Sequence, residues 1–168
     1  MQRYVLCLGS NLGSRLHNIF KALAFLTRYM KVLRVSGVYL TEPVGPPQGW
    51  FLNVSVLVLF DGNPPKLLDL CKKAEVALGR VQRYRWGPRE IDVDIIWWEG
   101  GVYESNVLVL PHVRWHERRF VVRTLKDLRF ERVNGFCLED LERTLRGQVV
   151  IPVASAKVLL EFLLDSLK

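Results

Sequence analysis

Hydrophobic positions along the chain follow two alternating periods. Tyr4 to Leu8 is a short apolar run stopped by Gly9-Ser10-Asn11-Leu12-Gly13, the pattern of a buried strand feeding a turn. Leu16, Ile19, Phe20, Leu23, Leu26 and Met30 then recur at helical intervals, which predicts a helix with Ser14 placed to cap its start. Val32 to Leu40 reads as a second strand. Thr41 to Gly49, with three prolines and two glycines, must be a loop, and its length suggests function. Phe51 to Phe60 gives a third strand, closed by Asp61-Gly62-Asn63-Pro64-Pro65, and Leu67, Leu70, Cys71, Ala74 and Leu78 mark a second helix ended at Gly79. Residues 80–90 form an arginine-rich loop, and Ile91 to Trp98 is a fourth strand that runs into Gly100-Gly101.

Strand, helix, strand, strand, helix, strand is the order of two split β-α-β units. It predicts an α+β protein with a ferredoxin-like βαββαβ core, an antiparallel sheet carrying both helices on one face. Beyond it, Val107 to Leu110 is expected to add an edge strand, and residues 116–126, 138–145 and 158–167 are expected to be helical. A chain of 168 residues and 19.4 kDa is the size of one domain, taken as 1–168.

Composition narrows the class. Hydrophobic residues at 49% and charged residues at 24% suit a globular core and exclude a disordered tail. The net charge of +7 predicts attraction to polyanions, leaving nucleic acid, nucleotides and anionic lipid open. Cys7, Cys71 and Cys137 are scattered, with no C-x-x-C pair, which argues against a zinc site or a disulfide framework. The N-terminus lacks a secretory pattern and no apolar run is long enough to cross a membrane, so a soluble, cytoplasmic protein is expected.

The sharpest local feature is Arg89-Glu90-Ile91-Asp92-Val93-Asp94-Ile95-Ile96. Positions two apart on a strand share a face at a spacing of about 6.6 Å, so Asp92 and Asp94 point the same way and can hold a pair of cations. Ile96 and Trp98 would continue that face, while Ile91, Val93, Ile95 and Trp97 fill the other. Arg80, Arg83, Arg85 and Arg89 lie just upstream, interleaved with Tyr84 and Trp86. A salt bridge from Arg89 to Asp92 within a solvated basic loop is the bland account of this cluster. Guanidiniums beside paired carboxylates are also a phosphoryl-transfer set, because magnesium prefers one or two carboxylates plus substrate phosphates. There is no P-loop or dinucleotide glycine motif, so side chains must build any nucleotide site. In Leu110-Pro111-His112 and His116-Glu117-Arg118-Arg119-Phe120, both His112 and Arg118 are candidate phosphate contacts, with a turn histidine as the simpler reading. The glycine turn at residues 9–13 could offer backbone N–H groups to an anion.

Together these segments resemble the 6-hydroxymethyl-7,8-dihydropterin pyrophosphokinase family over residues 4–125. The resemblance rests on four ordered blocks: the Gly9 to Gly13 turn, Tyr39 to Asn53 with T-x-P-x-G and Q-x-x-F-L-N, Gly79 to Asp94 with R-W-G-P-R-x-I-D-x-D, and Leu108 to Phe120 with L-P-H and H-E-R-x-F-V. It implies transfer of pyrophosphate from ATP to a pterin alcohol, releasing AMP, with two Mg2+ ions on Asp92 and Asp94. By the same resemblance Asn11, Thr41 and Asn53 contact the pterin, Phe51 and Phe120 sandwich it, and Trp86 closes over it. Arg80 and Arg89 assist transfer, while Glu75, Arg85, Ile95, His112 and Arg118 serve ATP. The basic loop is one residue shorter than in familiar members, which shifts the register of Gln82 and Arg83, and Val107 and Val109 stand where some members have polar nucleotide contacts. A monomer acting on small molecules is expected, without nucleic acid or membrane partners. The rival of another class, an RNA-binding module on the same fold, must explain two acids facing the ligand and lacks the aromatic strand motif of that fold. A non-catalytic pterin or nucleotide sensor is the other alternative.

Overall fold

The computed structural model describes residues 1–168. Its elements are β1 (Gln2–Ser10), α1 (Arg15–Leu26), β2 (Met30–Val35), β3 (Val38–Thr41), β4 (Phe51–Phe60), α2 (Pro64–Ala77), β5 (Asp92–Trp98), β6 (Tyr103–Glu104), β7 (Val109–Leu110), a 3-10 turn (Trp115–Glu117), α3 (Arg119–Asp127), β8 (Arg132–Val133), β9 (Phe136–Cys137), α4 (Leu138–Thr144), β10 (Val150–Ala154) and α5 (Ala156–Ser166). The main sheet runs β10-β3-β4-β1-β5, with β2 also paired to β4, and every pairing is antiparallel. With β2 and β3 counted as one interrupted strand, the four positions other than β10 follow the ferredoxin-like order.

β4 sits at the centre because its near-continuous apolar run can be covered on both faces. On one face Leu6, Leu8, Val54, Val56, Val93 and Ile95 pack under α1, α2 and α5 through Ile19, Leu23, Leu67, Cys71 and Leu159. On the other face Val5, Cys7, Leu57 and Ile96 meet Val121, Val122, Leu125 and Leu138 from α3 and α4. The helices therefore cover both faces, and the C-terminal ones leave room beside β5 and β3 for a cavity.

Several boundaries differ from the expectation. Met30 does not extend α1: it is captured opposite Phe60 as the first residue of β2. Ser14 occupies the N-cap position of α1 without a side-chain bond, whereas Asn63 caps α2 by accepting the Lys66 N–H at 3.1 Å. The strand expected at 32–40 breaks at Ser36-Gly37, where the Ser36 hydroxyl accepts the Ser55 N–H at 2.9 Å. Val109 and Leu110 pair with Tyr103 and Glu104 in a separate ribbon instead of adding an edge to the main sheet. Residues 116–126 divide into the 3-10 turn and α3.

The largest correction lies in β5. A bulge opposite Val5 and Leu6 leaves Ile96 as an extra residue, so Ile96 and Trp97 both face α3 and Trp98 turns toward the α1 and α2 side beside Tyr4. Strict alternation therefore holds from Asp92 to Ile96 and fails at the two tryptophans.

Candidate active site

Along β5, Asp92 lies opposite Gly9 and Asp94 opposite Cys7, so both carboxylates sit on the α3 side of the sheet. They line a cavity of about 550 Å3 together with Thr41, Phe51, Asn53, Trp86, Arg89, His112, Arg118 and Phe120. That volume is in the range of small-molecule sites. β4 supplies Phe51 and Asn53, β3 supplies Thr41, and the start of α3 supplies Phe120. Ten of the residues singled out in the sequence thus converge here, across 79 positions of chain from Thr41 to Phe120.

The polar floor is built across β3 and β4. Asn53 Nδ2 donates to Thr41 Oγ1 at 2.6 Å, which leaves the Asn53 carbonyl and the Thr41 hydroxyl hydrogen without protein partners. A donor and an acceptor side by side suit the edge of a flat heterocycle. Gly9 opens this corner, since a Cβ there would lie 2.7 Å from Asn53 Oδ1. A glycine inside a strand signals such a close approach, although the sequence reading placed Gly9 in the turn.

Charge is concentrated at Asp92. Arg80 Nη1 binds its Oδ1 at 3.0 Å and Arg89 Nη1 binds its Oδ2 at 3.1 Å. The salt bridge offered as the bland account is therefore present, with a second guanidinium added from the end of α2. Asp94 makes no ion pair with any cation, and burial, then the nearby Asp92 charge, pushes its carboxyl up to about 7. No group of three or more His, Cys, Asp or Glu side chains is placed to hold a metal ion. Two same-facing carboxylates without a third protein ligand fit a cation brought in with a polyphosphate, and they do not fit a resident structural metal.

On the far wall, burial and the charge of Arg118 lower His112 to about 4. Its Nδ1 accepts the Arg114 N–H at 3.1 Å, so the neutral ring carries its proton on Nε2 as a donor. Trp86 adopts a left-handed backbone at φ 63, with Arg114 5.1 Å and Arg85 5.5 Å from its ring centre. The Gln48 amide donates to the Trp86 carbonyl at 2.6 Å, latching the proline loop to the arginine loop. Arg83 closes the latter on itself by a two-point bond to Glu90 at 2.9 and 2.7 Å, which holds Glu90 down at about 2.

Four expected contacts are placed elsewhere. Asn11 is spent as a strut, donating to Gln48 at 2.7 Å and Gly49 at 3.0 Å and accepting the Arg89 N–H at 2.8 Å. The glycine turn therefore braces two loops instead of presenting an open anion cradle. Ile95 points into the core under α1 and α2, so only its backbone is available to a ligand. Glu75 is buried, accepting the Val93 N–H at 2.9 Å and pairing with Arg80 at 2.8 Å. Arg85 is exposed and stacks on Trp86 without lining the cavity. Val107 and Val109 are exposed and also lie outside it. Conversely, Gly147, Gln148, Val149 and Val150 form part of the wall, which no local pattern in the sequence signalled.

A ferredoxin-like sheet that presents paired carboxylates, flanking guanidiniums and an aromatic slot defines a phosphoryl-transfer class of site. Residues 5–130 match the family described as 7,8-dihydro-6-hydroxymethylpterin-pyrophosphokinase, and the chain belongs to that family. It is similar to the 2-amino-4-hydroxy-6-hydroxymethyldihydropteridine pyrophosphokinase of Methylorubrum extorquens, at 40% identity over 80% of this chain and 87% of that protein. The enzyme of the same name from Bacillus subtilis is 39% identical over 73% of this chain and 75% of its own length. Among solved structures, the fold resembles Plasmodium falciparum HPPK-DHPS A437G with SDX-DHP, with a TM-score of 0.70 at 16% identity over 85% of this chain. This chain spans 45% of that bifunctional protein.

Proposed function

We propose that the chain transfers pyrophosphate from ATP to the hydroxymethyl group of 6-hydroxymethyl-7,8-dihydropterin, the pyrophosphokinase step of folate synthesis, releasing AMP. The observation that carries this reading is the convergence of Asp92, Asp94, Arg89, His112 and Arg118 with the Phe51, Asn53 and Thr41 corner in one cavity. The pterin ring lies against Phe51 and Phe120, with its polar edge on Asn53 and Thr41 and its hydroxymethyl group directed toward β5. Asp92 and Asp94 would hold two Mg2+ ions together with the ATP phosphates, and those ions would supply charge neutralisation at the transferred group. Arg80 and Arg89 exchange Asp92 for phosphate oxygens as the polyphosphate enters. Their cationic charge then faces the group in transfer. His112 donates from Nε2 and Arg118 from its guanidinium to the nucleotide phosphates. Positioning and electrostatics carry the rate, as in phosphoryl transfer generally. Residues 1–168 act as one catalytic unit and as a monomer.

Incubation with ATP, magnesium and reduced hydroxymethylpterin should yield AMP and the pterin diphosphate. Asp92→Ala and Asp94→Ala should each lose most turnover while keeping the wild-type circular dichroism spectrum. Formation of ADP in place of AMP, or wild-type turnover in both variants, would sink the assignment.

A further inference from the structure

The cavity wall at 147–150 comes from beyond the 5–130 stretch that matches the family. β10 binds this segment to β3, with Val150 opposite Thr41, the hydroxyl of the polar floor. Just before β10, Gln148 makes three bonds to one short stretch of backbone and side chain. Its Oε1 accepts the Arg119 N–H at 2.8 Å, its Nε2 donates to the Glu117 carbonyl at 2.7 Å, and its own carbonyl accepts from Arg119 Nη1 at 2.8 Å. Arg119 is the first residue of α3, and the N-cap residue Arg118 offers no side-chain bond to the helix start. Gln148 therefore supplies from 29 residues away an acceptor that a helix start ordinarily finds in its own N-cap.

The residue bracketed by these bonds is Arg118, whose side chain lines the cavity, and the next ring along is Phe120. The geometry points to Gln148 as a positioning residue for the transfer reaction: its amide clamps the backbone on both sides of Arg118 and so aims the guanidinium at the nucleotide phosphates. The role needs both ends of a primary amide, a donor for Glu117 and an acceptor for Arg119. Glutamate keeps the acceptor, loses the donor, and sets a negative charge against the Glu117 carbonyl. The pairing of β10 with β3 links the same segment to the pterin corner, so the clamp is anchored on the sheet instead of hanging from a free tail.

This inference rests on the pyrophosphokinase reading, and a double-mutant cycle tests it. The chains compared are wild type, Gln148→Ala, Arg118→Ala and the double variant, each measured for AMP formation, for calorimetric binding of a non-hydrolysable ATP analogue with magnesium, and for melting temperature. Gln148→Ala should raise KM for ATP and Kd for the analogue about tenfold, the scale of one misplaced charge-assisted hydrogen bond. In the Arg118→Ala background the same change should add less than about twofold, because its effect passes through that guanidinium. Gln148→Glu should resemble Gln148→Ala, and it carries the cycle in its place if the alanine variant fails to fold. Unchanged ATP affinity in a Gln148 variant, or an equal loss with Arg118 already removed, would show that Gln148 only holds the helix start and would overturn the role. A wild-type chain that makes no AMP sinks the function and this role together, whereas an active wild type with either contrary result sinks this role alone.

Discussion

Phe51 and Gly9 define the pterin corner from opposite directions, one by filling space and the other by leaving it. Phe51→Ala should weaken pterin binding by about 1–3 kcal/mol, the loss for an apolar side chain leaving a contact, with the ATP analogue bound as before. Gly9→Ala should do the reverse of cavity creation. Its methyl group drives into the Asn53 carbonyl, so pterin affinity should fall while the melting temperature changes little. Equal losses for both ligands in calorimetry would point to a damaged core in either variant. His112 bears on pH. Its folded proton affinity, lowered to about 4, lies below the ordinary histidine range, so the unfolded chain binds the proton more readily. The stability contribution is therefore present above that range and is lost as pH falls toward 4. His112→Gln cannot take up that proton. Its melting temperature relative to wild type should hold steady above pH 7 and climb as pH drops through 6 to 4, and a flat difference in scanning calorimetry would refute the shift.

The elements that carry the chemistry are two loops resting on a rigid sheet. Gln48 ties them at Trp86, Asn11 ties both to the turn that follows β1, and Arg83 with Glu90 closes the arginine loop on itself. Tyr84 and Val81 are exposed, so the loop has little apolar burial to hold it between ligands. Amides of residues 80–87 should exchange rapidly in the free protein and slow when pterin and a non-hydrolysable ATP analogue are both bound, as Arg80 and Arg89 move onto phosphates and water is excluded. Hydrogen exchange by mass spectrometry decides it. Strong protection without ligand, or none gained with both, would make the loop a static basic surface.

At the scale of the whole molecule, the sheet separates stability from chemistry. α5 packs on the face covered by α1 and α2, with Leu159 fully buried and Phe162 stacked on Phe20 at 4.1 Å, while the cavity opens on the α3 face. Leu159→Ala should cost about 2–5 kcal/mol in denaturant unfolding, as for a buried leucine elsewhere, and leave KM for ATP unchanged. A change in KM comparable to the loss of stability would show that the two faces are coupled through the sheet.

What the sequence determined by itself is whatever local periodicity encodes. The order of strands and helices, the buried course of β4, and the shared face of Asp92 and Asp94 follow from periods of two and about 3.6 read over a few residues. The ordered motifs carried most of the cavity's residues as well. Tertiary structure alone decided which groups are free to act. Asn11 looked available until Gln48 and Gly49, 37 and 38 residues away, took its amide, and the Arg89 N–H, 78 away, took its carbonyl. Trp97 and Trp98 were placed by a bulge that depends on pairing with β1, and no property of residues 92–98 specifies it. The wall at 147–150 carries no motif, because its place in the site comes from the pairing of β10 with β3 and from a glutamine that completes the start of a helix in another part of the chain. Backbone groups left unpaired by one segment are satisfied by whichever segment the fold brings to them, and a sequence read locally holds no record of that partner.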